Sequence, residues 1–344
     1  MLNNQKLETL HPIWSDKVGN VSQIGGIETA VIDNGTSRGM RVAWINTGSG
    51  LRYKVLIDRA MDIADAGYNQ YNLAWLGHSG FTPPQLLSDK GLDWLRTFGG
   101  GLLNTCGLTH VGGPEKDEYG ERGIHGRISN TPAYVESIIQ PDPAAGKYDM
   151  SITGIIKESN IFGPSLELRR TISSRLGSSS IQIHDEISNR GNTAAPHMIL
   201  YHCNFGWPLA DKGSQLSWKG KMTTRDGKDF HEPEAYMICR DAIAEHNGNG
   251  EQVAIIDIEA DEKGQCVAGL HNPKINLGIA LRFSKQELPW LTNWQHWGKG
   301  EYVTGIEPGS HPPIGQAKAR ENNTLIFIEP GEKKTYNLTI DITT

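Results

Sequence analysis

Thr335-Tyr336-Asn337-Leu338-Thr339-Ile340-Asp341-Ile342 alternates polar and apolar residues along its whole length. A period of two puts Tyr336, Leu338, Ile340 and Ile342 on one face, the pattern of an antiparallel strand with one buried and one wetter side. The turn Glu329-Pro330-Gly331-Glu332 precedes it, and the apolar run Thr324-Leu325-Ile326-Phe327-Ile328 precedes the turn. Working outward, Ser180-Ile181-Gln182-Ile183-His184-Asp185-Glu186-Ile187 repeats the alternation and stops at the turn residues Ser188-Asn189-Arg190-Gly191-Asn192. Ser165-Leu166-Glu167-Leu168-Arg169 shows a shorter version, and Asp142-Pro143-Ala144-Ala145-Gly146 reads as a hairpin tip. The 40 glycines are spread along the chain rather than gathered in linkers. Helical signals are confined to a turn or two between Pro84 and Leu95. Many short strands separated by turns predict an all-β chain. The expectation is a single domain over residues 1–344, built of two large stacked antiparallel sheets. Residues 1–50 would form edge strands, and the polar stretch 210–250 an irregular excursion.

A chain of 344 residues can bury a sizeable core. Its net charge of −6 and scattered lysines and arginines argue against a nucleic-acid partner, which needs clustered cations. No apolar run approaches the roughly 18 residues of a membrane-spanning helix. The amino terminus is polar, unlike a signal peptide. The four cysteines have no metal-binding or redox spacing and read as reduced thiols. These features predict a cytoplasmic protein with no membrane partner.

Five segments place polar groups where core strands would not. Ile57-Asp58-Arg59-Ala60-Met61-Asp62-Ile63 sets charges among apolar residues, so they either pair with one another or face a cavity. Arg59 and Asp62 are candidates for both roles. Gly99-Gly100-Gly101 lets backbone approach a strand or a ligand, and Asn104 and His110 follow it as candidate cleft residues. Ile124-His125-Gly126-Arg127 sets a histidine on a short polar segment. In Tyr201-His202-Cys203-Asn204-Phe205-Gly206, His202 and Asn204 are two apart and share a face, while Cys203 points the other way. Gly305-Ile306-Glu307-Pro308-Gly309 places a carboxylate between an apolar strand and a turn. Shortly before it, Trp294-Gln295-His296-Trp297 offers aromatic faces for the C–H faces of a sugar ring, with amide and imidazole for its hydroxyls. A core role for Trp294 and Trp297 is the plain alternative.

Taken in order, Ile124-His125-Gly126, Tyr201-His202-Cys203-Asn204-Phe205 and Ile306-Glu307-Pro308 resemble the signature segments of the galactose-mutarotase-like superfamily, the aldose 1-epimerases. The chain is more closely similar to a bacterial branch of unknown function related to those enzymes. That likeness takes in Asp58-Arg59-Ala60-Met61-Asp62-Ile63, Asn104-Thr105-Cys106-Gly107 and Gly305-Ile306-Glu307-Pro308-Gly309. The resemblance implies a β-supersandwich that binds a sugar, with His202 as general acid, Glu307 as general base and His125 at the ring end of the sugar. It implies no cofactor and no metal. Tyr201 stands where the aldose 1-epimerases have asparagine, Gly206 where they have a second asparagine, and Gly309 where they usually have glutamine.

The expected activity is therefore mutarotation by acid–base catalysis. The expected site is Glu307 and His202, with Arg59, Asp62, Asn104, His110, His125, Asn204, Trp294, Gln295 and His296 around the substrate. One alternative is an epimerase, isomerase or lyase acting on a keto or oxidised sugar, with a metal held among His110, His125, His202, His296 and Glu307. Another is a non-catalytic carbohydrate-binding protein.

Overall fold

The computed structural model describes residues 16–86 and 89–344. Strands dominate, and every pairing among the named strands is antiparallel. The large antiparallel β-sandwich predicted from the alternation is present.

An eight-stranded sheet runs Gln215–Ser217, Gln265–Asn272, Leu277–Ser284, Lys333–Thr343, Ser180–Asn189, Ser165–Arg175, Asp149–Ser159 and Tyr134–Ile139 in spatial order. A seven-stranded sheet carries Gly220–Thr223, Gln252–Ile258, Trp290–Gly298, Glu301–Gly309, Ala195–Gly206 and Ile326–Ile328, with Asn104–Leu108 paired to Ala195–Gly206. A third sheet of five strands spans Gly26–Val31 to Tyr71–Asn72. Within it Gly26–Val31 lies at the edge, but Arg41–Asn46 is flanked on both sides, so the expected block of edge strands reduces to one. Residues 1–15 of that block lie outside the described residues.

The alternation does what two-sided strands require. Tyr336, Leu338 and Ile340 are buried while Thr335 and Asn337 are exposed. In Ser165–Arg175 the inward set is Leu166, Leu168, Arg170, Ile172 and Ser174. Arg170 is thus forced into the core and must be paired there. It forks onto Asp185 at 2.9 and 2.6 Å, and also donates to Thr105 Oγ1 at 2.8 Å and to the Ala60 carbonyl at 3.1 Å. Asp62 Oδ1 lies 3.3 Å away, and Tyr201 donates its hydroxyl to Asp185 at 2.7 Å. This one buried network pins all three sheets together.

Ala195–Gly206 is buried on both faces. Tyr201, Cys203 and Phe205 belong to the main apolar core between the sheets. His202 and Asn204 therefore point to the other face, where loops and aromatic side chains cover them. The stretch 210–250 is partly ordered: it holds the strands Gln215–Ser217 and Gly220–Thr223 and the helix Pro233–Tyr236, and it reaches over that same outer face. The helical turn expected before Leu95 forms as the 3-10 helix Asp93–Arg96. All four cysteines are buried and free. Among the described residues no helix is long and apolar enough to cross a membrane.

Candidate active site

Strand register assembles the site. Asn104 lies opposite His202 on one side, and Thr292 lies opposite Glu307 on the other. The central pair of strands sets Leu200 against Gly309 and Cys203 against Ile306, which brings His202 and Glu307 face to face. Four neighbouring strands so present Asn104, His202, Glu307 and Thr292 in one row. His202 Nε2 is 3.3 Å from Glu307 Oε1. His202, Glu307 and Thr292 of this row form the floor of a cleft of about 790 Å³, whose walls include Trp75, Trp94, Phe98, His125 and Trp294, while Asn104 lies beside the floor without lining it.

The floor is short of hydrogen-bond partners. Asn104 Oδ1, His125 Nδ1, His202 Nδ1, Asn204 Oδ1, Thr292 Oγ1 and Glu307 Oε1 are all buried with no aligned partner in the protein. Buried polar atoms are nearly always satisfied, so the four that belong to cleft-lining residues, on His125, His202, Thr292 and Glu307, mark a place built for hydroxyls or water. Glycine makes room for the acid. A Cβ on Gly305 would sit 2.2 Å from Glu307 Oε1, so the carboxyl folds back over a residue without a side chain.

Burial governs the protonation of the pair. It pushes the Glu307 carboxyl well above its usual value of 4.5, a shift that Arg225 opposes and Glu251 reinforces. It also pushes His202 down to about 4, against a hydrogen-bond contribution from Asn204. His125 is lowered well below 6.5 by burial, and then by the neighbouring His202 and His110. Desolvation outweighs mutual attraction and biases both members of the pair toward their neutral forms. The pair then holds one proton to give, on Glu307, and one vacant imidazole nitrogen. Burial, above all, raises Cys106 and Cys203, which keeps both as thiols.

Aromatic rings surround His202. The ring centroids of Phe98, Trp294, His125 and Trp94 lie 5.3, 5.5, 6.1 and 6.2 Å from its own. Trp94 stacks on Phe98 at 4.3 Å, and Trp75 meets Trp294 edge-on at 6.2 Å. His125 adopts a left-handed backbone (φ 59°), held by its N–H to Gly112 and by its carbonyl, which accepts from Gly107. That conformation turns its ring in against Trp94 at 5.0 Å.

Other expected site residues lie elsewhere. Arg59 is buried away from the cleft, and its guanidinium donates to the carbonyls of Thr82 and Thr97 and to Asn130 Oδ1. It ties three loops together and is not placed to touch a sugar. Asp62 accepts from Thr105 N and Oγ1 at 3.0 and 2.6 Å inside the Arg170 network. The charges in that segment are thus structural, although their partners are Arg170 for Asp62 and Arg41 for Asp58, not Arg59. His110 lies behind the cleft wall, with Nε2 on the Gly113 carbonyl and Nδ1 near Glu115. Gln295 points to the opposite face of its strand from Trp294 and His296. It binds Tyr236 O, Asn293 and the Trp297 indole in the core, so the expected three-residue platform is Trp294 and His296 only. Strand alternation is the physical reason. His296 lines the cleft, but both of its nitrogens face carbonyls, Glu301 O at 2.7 Å and Gly248 O at 3.1 Å. Asn204 shares the His202 face and donates to the carbonyls of Gly101 and His202. Among the described residues, no three His, Cys, Asp or Glu side chains are grouped to hold a metal ion.

Sequence reasoning did not find Trp75, Trp94, Phe98, Arg225 or Glu251. The nearest signal was Gly99-Gly100-Gly101. Cβ atoms there would strike the Gly80 carbonyl at 2.3 Å, the Trp75 carbonyl at 2.5 Å and the Ile63 carbonyl at 2.8 Å. The three glycines let strands close up, and the segment they admit carries Trp75 into the cleft.

Residues 37–342 match the family described as domain of unknown function DUF4432. No curated protein matches the chain. A Klebsiella pneumoniae structure, provisionally assigned as an aldose 1-epimerase, is similar over 94% of this chain and 86% of its own, with 23% identity and a TM-score of 0.83. A galactose mutarotase-like protein of Clostridium acetobutylicum is similar over 94% and 99%, at 11% identity and 0.63. A provisionally assigned mutarotase of Salmonella typhimurium, YeaD, is similar over 98% and 99%, at 11% identity and 0.61. The shared fold is that of galactose mutarotase-like proteins.

Proposed function

Because the chain belongs to the DUF4432 family, whose function is unknown, its activity has to be argued from its own cleft, and we propose that it interconverts the anomers of a reducing sugar by acid–base catalysis. The observation that carries this reading is the opposition of His202 and Glu307 at 3.3 Å on the floor of an aromatic-walled cleft. The fold it shares with aldose 1-epimerase-like structures agrees with it.

Mutarotation needs one group to take the anomeric O–H proton and another to protonate the ring oxygen. The bond from the anomeric carbon to the ring oxygen breaks as the carbonyl forms. The open chain rotates about its first carbon–carbon bond, and reclosure runs the two transfers in reverse. A pair carrying a single proton suits such a cycle, since each member donates in one half and accepts in the other. Burial favours that proton on Glu307 over His202. Sugar hydroxyls that donate to the carboxylate and accept from the imidazolium favour the charged pair. Entry of the sugar then shifts the proton to His202, which makes Glu307 the base and His202 the acid. Trp94, Trp294 and Phe98 supply faces for the sugar's C–H surface, and His125 and Thr292 supply polar contacts at its edge.

The test is exchange NMR of the protein against a panel of aldoses, uronic acids and keto sugars. Faster anomer exchange in at least one aldose supports the proposal. A new product without anomer exchange favours an isomerase of keto or oxidised sugars instead.

A further inference from the structure

Among the described residues that line the cleft, Arg225 is the sole arginine or lysine, whereas Glu251 and Glu301 both stand at the mouth. The cation is already matched: Arg225 Nη1 lies 2.7 Å from Glu251 Oε1. The other oxygen of the same carboxylate accepts from the Trp294 indole N–H at 2.7 Å. Trp294 in turn meets His202 edge-on at 5.5 Å. One acid therefore does two things at once: it cancels the only strong cation of the cleft and fixes the angle of a wall next to the acid–base pair. Glu251 is placed for both by register, because it immediately precedes the strand in which Val253 lies opposite Trp294. Glu301 adds a second, partly exposed carboxylate to the cleft lining, 3.8 Å from His78 Nε2.

We propose that Glu251 is a specificity-determining residue that makes the cleft select uncharged sugars over sugars bearing a carboxylate, phosphate or sulfate. The inference rests on the sugar-binding reading above. An anionic substituent that binds Arg225 either displaces Glu251, which strips the Trp294 indole of its acceptor, or takes the remaining guanidinium N–H groups and then sits against the Glu251 carboxylate. One that does not reach Arg225 meets two carboxylates, and like charges brought together disfavour binding. An uncharged sugar meets neither obstacle, since its hydroxyls accept from the remaining guanidinium N–H groups and donate to the carboxylates.

The experiment is a ligand-observed NMR titration of two matched pairs, galactose with galacturonate and glucose with glucuronate. Wild type, Glu251→Gln and the double variant Arg225→Gln/Glu251→Gln are compared. Glutamine keeps an acceptor for Trp294 while removing the charge. Wild type is expected to bind the neutral member of at least one pair more tightly. Glu251→Gln is expected to shrink that preference roughly three- to tenfold by exposing Arg225 to the uronate. The double variant, with no cation left, is expected to restore it. A wild-type preference for the uronate, an equal loss of both affinities in Glu251→Gln, or no binding of either pair overturns the proposal. If the preferences follow this pattern but no aldose shows faster anomer exchange, the catalytic reading fails while the role of Glu251 stands.

Discussion

His202 and Glu307 sit directly across from each other on neighbouring antiparallel strands, with Nε2 and Oε1 3.3 Å apart and out of hydrogen-bond alignment. A buried acid and a buried base this close on the floor of a cleft are placed to pass a proton between them. Their pH dependence follows from burial. Glu307 is raised well above 4.5 and His202 is lowered to about 4, so between these values the pair carries one proton. Turnover should fall as pH drops through about 4, when a second proton leaves no acceptor, and fall again at higher pH, wherever Glu307 loses its proton. A profile of exchange rate against pH checks this.

Gly305→Ala tests the seat of the carboxyl. The added methyl would stand 2.2 Å from Glu307 Oε1 and must push it aside. The variant should fold, since Gly305 has no left-handed backbone to lose. Its exchange rate should drop about 10-fold or more, with its pH profile altered. Rates and circular dichroism of the purified variant decide the matter.

Trp294→Ala removes a wall that touches His202 and Trp75. Loss of one aromatic face should raise KM or Kd for the sugar about 5- to 10-fold. Arg59→Lys should leave KM unchanged, because Arg59 binds only loop carbonyls and Asn130. Steady-state kinetics on the two variants separates cleft from scaffold.

Arg170→Met is expected to destabilise the fold by about 3–5 kcal/mol, because it abandons Asp185 and Asp62 as uncompensated buried carboxylates. Urea denaturation of variant and wild type measures it. Asp62→Asn should lower stability without changing sugar affinity, which would not be so if Asp62 bound substrate.

His197 shows how pH acts on stability. Burial lowers it from 6.5 to about 3, with its ring between the Leu108 carbonyl and the Tyr336 hydroxyl. Below 6.5 the unfolded chain takes up a proton that the folded chain refuses, so stability falls as pH drops from 6.5 toward 3. His202, His125, His110 and His311 are lowered as well and act in the same direction. Melting temperature should decline over that interval, and less steeply in His197→Gln.

What could be read in the sequence was set by local periodicity. The strand faces of Tyr336–Ile342 and Ser180–Ile187 were legible because each residue declares its side by parity. The same parity put His202 and Asn204 together and Cys203 opposite. Parity also rules against Gln295 beside Trp294 and His296, a conflict visible in the sequence itself. Arg59 and Asp62 were legible as buried charges but not by partner, since Arg170 lies more than a hundred residues away and only the sheet packing joins them. Trp75 and Arg225 sit on loops, and Trp94 on a short 3-10 turn, whose path depends on long-range contacts, such as the approach of Trp75 to Gly100.

Glu307→Gln with two readouts separates acid–base catalysis from sugar binding. Glutamine keeps the size of the side chain and removes its acid. Binding of the sugar identified in the panel would be titrated by NMR, and anomer exchange would be measured on the same samples. The account predicts affinity within a few-fold of wild type and an exchange rate lowered by about 10²-fold or more. Exchange that continues at the wild-type rate with binding intact would contradict it and leave the cleft as a binding site without an acid–base pair.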